Sequence, residues 1–247
     1  EIKPSTLASL LTLVKKIESI QNLGAIDILC TDKTGTLTEN KIILQKYIDA
    51  QGKENNSILE YAYLNSYYST GIKNLVDKAI LAYAIENKLT TLEEKYEKID
   101  EIPFDYTRKK ETIIVKKKEQ YRVITKGALE EILSCCTKIK LGTKITDIDQ
   151  NLKKVIEEKA KELANDGMQV IALSEKKEYS KENQTKDIES NMIFIGFVGF
   201  LDPAKKEVKN TLTKLSKIGI HTKILTGDNP YATKNICNLV GLNGNDI

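Results

Sequence analysis

Histidine is nearly absent from this 247-residue chain, which has one, and cysteine is sparse at four. His221 cannot complete a zinc site by spacing, and none of Cys30, Cys135, Cys136 and Cys237 forms a CxxC pair, so a zinc-stapled fold is excluded. The adjacent Cys135 and Cys136, at the end of a helical run, read as core and boundary residues. An excess of one charge is also missing. Lys+Arg 38 against Asp+Glu 35 leaves +3, with the signs interleaved, whereas a nucleic-acid surface needs clustered positive charge. No window approaches the run of about 18 apolar residues that a membrane-spanning helix needs. The longest apolar stretch, Met192 to Leu201, is broken by glycines and reads as a buried strand. Nothing at the start reads as a secretory signal, and the two Asn-x-Ser/Thr matches, at Asn55 and Asn183, read as chance. A reducing, cytosol-facing setting is expected. What the chain does have is 40% hydrophobic and 30% charged residues, enough for a sizeable core in one large or two modest domains.

The patterning predicts an α/β organisation. Ile26 to Thr31 is a short apolar run that ends at Asp32 and a Gly/Thr-rich turn, the form of a buried strand leading into a polar loop. Near the other end, Met192 to Leu201 reads as a strand, and Asp202-Pro203 as an N-cap with proline at the first helical position. Val208, Leu212, Leu215 and Ile218 fall on one helical face, Ile220 to Leu225 is the next strand, and Asn229-Pro230 opens a further helix that Gly241 closes. This β-α-β-α run predicts a parallel sheet. Ligands of such sheets bind beyond the carboxyl ends of the strands, where Asp32 and Thr226-Gly227-Asp228 both lie. The middle differs. A helix over Asn74 to Glu86, strands at Lys98–Ile102, Thr112–Val115 and Tyr121–Thr125, helices over Ala128–Cys135 and Leu152–Ala164 and a strand at Val170–Leu173 predict an inserted α+β unit. Ser180 to Asn191 reads as a polar surface loop.

The sharpest chemical signal is Asp32-Lys33-Thr34-Gly35-Thr36-Leu37-Thr38. A carboxylate at a strand end can act as a nucleophile and carry an acyl phosphate. Gly35 permits close backbone approach, the threonine hydroxyls can donate to phosphoryl oxygens, and a magnesium ion is expected for charge neutralisation. The bland alternative is a strand followed by an Asx-type turn.

This heptapeptide resembles the phosphorylation motif of the P-type ATPases, cation pumps that pass through an aspartyl phosphate. Lys126-Gly127-Ala128 resembles the family's nucleotide-site lysine motif. Pro103-Phe104-Asp105 with Arg108-Lys109-Lys110 resembles the segment whose phenylalanine stacks on adenine. Asp202-Pro203 and Thr226-Gly227-Asp228 resemble two further phosphorylation-domain motifs, and the likeness runs from about residue 15 to the end. Ile20 to Cys30, Leu64-Asn65-Ser66, Gly71 to Leu75 and Lys98 to Asp105 look most like the bacterial magnesium-importing branch.

The resemblance implies a haloacid-dehalogenase-like (Rossmann-like) parallel-sheet phosphorylation domain over 1–42 and 199–247, without its later Gly-Asp-Gly-x-Asn-Asp motif. A nucleotide-binding domain over 43–198 is inserted into it, with hinge crossings near Thr38–Asn40 and Gly199–Asp202. Gly244-Asn245-Asp246 comes too soon after Asp228 to be the missing motif. ATP and Mg²⁺ are the implied cofactors, and the membrane and the transported cation are reached only through helices this chain lacks. The implied setting is the cytoplasmic face of the plasma membrane, with no nucleic-acid partner.

Residue by residue, Asp32 is the implied phosphate acceptor, with Lys33 beside it. Asp32 and the Thr34 carbonyl help ligate magnesium, and Thr34, Thr226 and Gly227 hold phosphoryl oxygens. Asp228 positions a lysine or magnesium, or caps the following helix, and Asp202 N-caps a helix, serves the phosphorylation domain, or both. Phe104, Arg108, Lys126, Gly127 and Asp77 form the implied nucleotide site. The alternatives are a core aromatic at 104, a solvated lysine at 126 and an exposed helix carboxylate at 77. Gln169 stands where many relatives carry arginine. A free-standing phosphohydrolase of small phosphate esters is the competing reading, and a non-catalytic nucleotide sensor a third. Thr34 argues against the hydrolase. Such enzymes place a second aspartate there as general acid/base, and a threonine cannot do that work at neutral pH.

Overall fold

The computed structural model describes residues 22, 24–87, 89, 91–180, 182, 185–225 and 230–242. In chain order the strands are β1 (Ile28–Asp32), β2 (Ile43–Asp49), β3 (Glu97–Asp105), β4 (Lys110–Lys117), β5 (Gln120–Gly127), β6 (Cys136–Leu141), β7 (Lys144–Asp147), β8 (Gln169–Lys176), β9 (Met192–Leu201) and β10 (His221–Leu225). Besides short helical turns such as Thr185–Ile188, the helices are α1 (Asn56–Tyr68), α2 (Leu75–Glu86), α3 (Leu129–Cys135), α4 (Gln150–Asn165), α5 (Val208–Lys217) and α6 (Pro230–Val240). The chain divides into two compact units. One holds the described residues up to Glu39 with those from Ala204 to Leu225 and from Thr233 onward. The other holds those from Asn40 to Pro203 and from Pro230 to Ala232.

The larger unit is built on an eight-stranded mixed sheet in the order β3-β4-β5-β8-β9-β6-β7, with β2 also paired to β9. One face carries α1 and α2, whose Ile58, Leu59, Leu64, Ala79 and Ile80 pack with Ile113, Ile124 and Val198. The other carries α3 and α4, whose Ile132, Ile156 and Leu163 pack with Ile139, Phe194 and Phe197. Strand β9 serves both cores. Its first residues pair parallel to β6, as Phe194 with Ile139, and its later ones antiparallel to β2, as Gly196 with Asp49. At the change of partner the inward and outward alternation slips: Ile195 faces the first core and Phe197 the second. A bulge does this. Gly196 sits at it because a Cβ there would lie 2.1 Å from the Ile48 carbonyl oxygen.

The smaller unit contains the parallel pair β1–β10, in register from Ile28 opposite His221 to Asp32 opposite Leu225. Leu37, Leu212, Ile224, Ile236, Cys237 and Val240 form its core. His221 is an exposed strand residue.

Three expectations are corrected here. Strand β9 does not continue a parallel β-α-β-α run, because its neighbours β8 and β2 are antiparallel to it in the larger sheet. A helix does not begin at Pro203. Ala204 bridges Thr38 and the Lys205 N–H is taken by the Leu37 carbonyl at 2.9 Å, so the backbone stays extended and α5 starts at Val208. Asp202 therefore caps nothing, and its carboxylate accepts the Lys41 N–H at 3.3 Å. Finally, Ile218 lies beyond the last turn of α5 and is 72% exposed.

Candidate functional site

Within the larger unit a cavity of about 850 Å³ opens beside the N-terminus of α2. Asn74 and Asp77 shape that terminus reciprocally. The Asp77 N–H donates to Asn74 Oδ1 at 2.9 Å, and the Asn74 N–H donates to Asp77 Oδ2 at 3.3 Å. This is a capping box, and it leaves an acidic side chain at the positive end of the helix. Strands β4 and β5 then bring Glu111 directly opposite Lys126. Lys126 is 4% exposed; its ammonium pairs with Asp77, lies 2.7 Å from Glu111 Oε1 and donates to Ser66 Oγ at 2.8 Å. Asp77 and Glu111 are themselves buried. Two carboxylates thus share the Lys126 ammonium at this wall of the cavity. Among the described residues Glu111 Oε1 accepts no hydrogen bond in spite of the ion pair. Lys126 is thus no solvated lysine, and Asp77 no exposed one-helix carboxylate.

The rim is apolar. Phe104 is 46% exposed and stands edge-on to Tyr106, ring centroids 5.3 Å apart, with Ile72 and Leu75 exposed nearby in the lining. Phe104 belongs to no core. It stands at the end of β3, just before the turn into β4, which is folded by Asp105, whose Oδ1 accepts the N–H groups of Thr107 and Arg108, both at 2.8 Å. Gly127 lies against that turn so closely that a Cβ would meet the Lys109 carbonyl oxygen at 2.5 Å. Gln169 also lines the cavity.

Arg108 is placed elsewhere. It does not line the cavity; its guanidinium holds Glu189 and the Pro103 carbonyl. Lys109 does line it, exposed, with its ammonium in no ion pair or hydrogen bond among the described residues. Sequence reasoning quoted Lys109 within its motif without giving it a role, and a lysine between two other basic residues offers no local signal. Glu101 is a second lining acid that was missed. It accepts the Thr70 N–H at 3.0 Å and Lys98 Nζ at 2.5 Å. Burial pushes its carboxyl upward, but these bonds outweigh burial and hold it below the usual glutamate range. Nearby, Lys73 donates to the Ser66 carbonyl at 2.6 Å, closing the end of α1, and burial lowers its ammonium from the ordinary lysine value.

In the smaller unit Asp32 is exposed at the carboxyl end of β1, where Oδ1 accepts the following Lys33 N–H at 2.8 Å. Gly35, at φ +77°, turns the chain back. Its N–H donates to Thr38 Oγ1 at 3.2 Å and its carbonyl accepts Lys205 Nζ at 2.6 Å. Lys33 is buried and Thr34 exposed. The β1–β10 register sets Leu225 opposite Asp32; the next three positions, Thr226, Gly227 and Asp228, lie outside the described residues. Asp32 Oδ2 accepts no hydrogen bond among the described residues; a carboxylate oxygen and a backbone carbonyl such as that of Thr34 are hard donors of the kind magnesium takes. Among the described residues no three of His, Cys, Asp and Glu cluster as a metal site.

A mixed α/β unit with an aromatic-rimmed, acid-lined cavity, preceded in the sequence by an exposed strand-end aspartate, defines a class, and comparison with known proteins identifies it. Residues 21–207 match the family described as P-type ATPase, cytoplasmic domain N, and the chain belongs to that family. It is 40% identical over 237 residues to a protein named Magnesium-transporting ATPase, P-type 1, of Salmonella typhimurium (strain LT2), covering 95% of this chain and 26% of that protein. A protein of the same name from Escherichia coli (strain K12) is 40% identical over 238 residues, with the same coverage of both. Calcium-transporting ATPase 1 of Bacillus cereus is 31% identical over 233 residues, covering 87% of this chain and 26% of that protein. The chain thus spans about a quarter of the length of these relatives. Among the described residues no helix is long and apolar enough to cross a membrane.

Proposed function

We propose that this chain binds ATP in the cavity of its larger unit and, within a longer cation pump, accepts the γ-phosphoryl group on Asp32. The cation proposed is magnesium, as in the names of the 40%-identical relatives. The smaller unit is proposed as part of a haloacid-dehalogenase-like phosphorylation domain (1–42 and 199–247), with 43–198 as the nucleotide domain and the whole at the cytoplasmic face of the plasma membrane. Family membership sets the free-standing phosphohydrolase aside.

The half-exposed Phe104 at the rim of a buried acidic wall carries this reading. A base stacked on an aromatic ring gains roughly 1–3 kcal/mol. The Asp77 and Glu111 carboxylates already hold the Lys126 ammonium, so the base is proposed to enter beside this wall and the triphosphate to extend outward, where Lys109 offers an ammonium. Gly127 keeps the backbone low beside it. In the transfer, an Asp32 oxygen bonds to the γ-phosphorus while the bond to the ADP oxygen breaks, ADP leaving with the electron pair. Such chemistry is mostly positioning and charge stabilisation. Lys33 and Thr34 follow the nucleophile, and Thr226, Gly227 and Asp228 are proposed to complete the phosphoryl site. Magnesium, when held by Asp32 and the Thr34 carbonyl, supplies neutralisation of phosphate charge. Thr34 cannot deprotonate water, so the acyl phosphate persists.

Calorimetric titration of the chain with ATP and, separately, with inorganic tripolyphosphate tests the orientation. ATP is expected to bind and tripolyphosphate not. Equal binding of the two would overturn it.

A further inference from the structure

Phe104 sits where its strand is least supported. Strand β3 is at the edge of the sheet, and its pairing with β4 is interrupted, running from Ile102 opposite Thr112 directly to Asp105 opposite Lys110. Pro103 and Phe104 fall in the gap, and proline has no N–H to contribute. What reaches the Pro103 carbonyl is Arg108 Nη2, at 2.7 Å. Arg108 is in turn fixed by Glu189, both of whose carboxylate oxygens lie 2.7 Å from Arg108 Nη1. The Glu189 side chain is 6% exposed, and it also accepts Thr112 Oγ1 at 2.7 Å and faces Lys110 Nζ at 3.5 Å. A carboxylate so withdrawn from water is stable only because charged donors surround it, and a guanidinium holds it in a fixed direction. Thr112 belongs to the cavity wall and Pro103 to its rim, so one acid joins both.

We propose that Glu189 is a positioning residue of the nucleotide site, acting through Arg108 to hold the Pro103–Phe104 backbone so that the Phe104 ring meets the base. This rests on the nucleotide reading above. It gives Arg108 an indirect part in place of the direct contact its motif implies. It also gives a purpose to Glu189, which lies in a stretch whose composition reads as surface loop.

The test is a double-substitution square read by ATP titration of the 247-residue chain: wild type, Phe104→Ala, Glu189→Gln and the pair, with urea midpoints taken alongside. If Glu189 acts through Phe104, Glu189→Gln weakens ATP binding by at least about 3-fold alone, and the pair binds no more weakly than Phe104→Ala, since contributions along one path do not add. Unchanged affinity in Glu189→Gln, or losses that multiply in the pair, would overturn the proposal even where the urea midpoint falls. Should Glu189→Gln not fold, Arg108→Lys completes the same square, because an ammonium cannot span both Glu189 and the Pro103 carbonyl. Absence of ATP binding by the wild type would remove the nucleotide reading and this proposal together. Binding without coupling would remove only the latter.

Discussion

Glu111 and Lys126 face each other across the β4–β5 ladder, with 2.7 Å between Oε1 and Nζ and almost no solvent on either. With Asp77 on the far side of the ammonium, the lysine holds two acids together. Lys126→Met leaves both carboxylates buried without a counter-charge, which costs about 3–5 kcal/mol. The urea midpoint at neutral pH should fall accordingly. A midpoint equal to wild type would show that the ion pair contributes nothing. The burial of Lys126 makes stability the larger effect of its replacement.

Phe104 behaves oppositely. Half exposed and outside every core, it should be replaceable by alanine with a stability change within about 0.5 kcal/mol. ATP affinity should nevertheless drop by roughly fivefold or more, the value of about 1 kcal/mol or above for a lost base stack. Calorimetry with unchanged affinity would place the base elsewhere.

Glu101 makes stability depend on pH. Its carboxyl is held below the ordinary glutamate value in the folded chain, so its contribution is complete above about pH 4.3 and disappears as the pH falls through the lower folded value. Urea midpoints between about pH 6 and pH 3 should therefore decline more steeply in wild type than in Glu101→Gln. Parallel declines would mean that the Thr70 and Lys98 bonds add no net stability.

Gly127→Ala should damage the cavity from behind. The new methyl would meet the Lys109 carbonyl oxygen and Lys110 Cβ at 2.5 and 2.6 Å, forcing the β3–β4 turn outward at a cost of about 1–3 kcal/mol. Weaker ATP binding together with a lower midpoint is the expected result, and wild-type values for both would show that the turn yields freely.

Asp32→Asn, made in the full-length pump, should abolish hydroxylamine-sensitive phosphate while sparing ATP binding. Labelled acyl phosphate persisting in that variant would mean that another side chain is the acceptor.

Much of this arrangement was legible before any coordinates. The strands at Thr112–Val115 and Tyr121–Thr125, the start of α2 and the strand at Met192–Leu201 follow from alternation, capping residues and an apolar run. The partners of β9 did not follow, because a strand covered on both faces reads the same whether its neighbours are parallel or antiparallel. Strand β2, α1, β6 and β7 escaped notice. Helix α1 is buried over Tyr61 to Ser66 without a break, so it shows no polar face for a period to reveal. Of the cavity, Asp77, Phe104, Lys126 and Gly127 were picked out through family motifs. Glu111, Glu101 and Glu189 were not, since a buried acid looks like a solvated one until its partners, such as Arg108 81 positions away from Glu189, are brought to it.

The bulge at Gly196 has a mechanical corollary. By letting one strand send Ile195, Val198 and Phe200 to one helical layer and Phe194 and Phe197 to the other, it welds the two layers to a common beam. Neither layer can loosen without disturbing the other, so amides on both sides of β9 should exchange with deuterium in a single cooperative event.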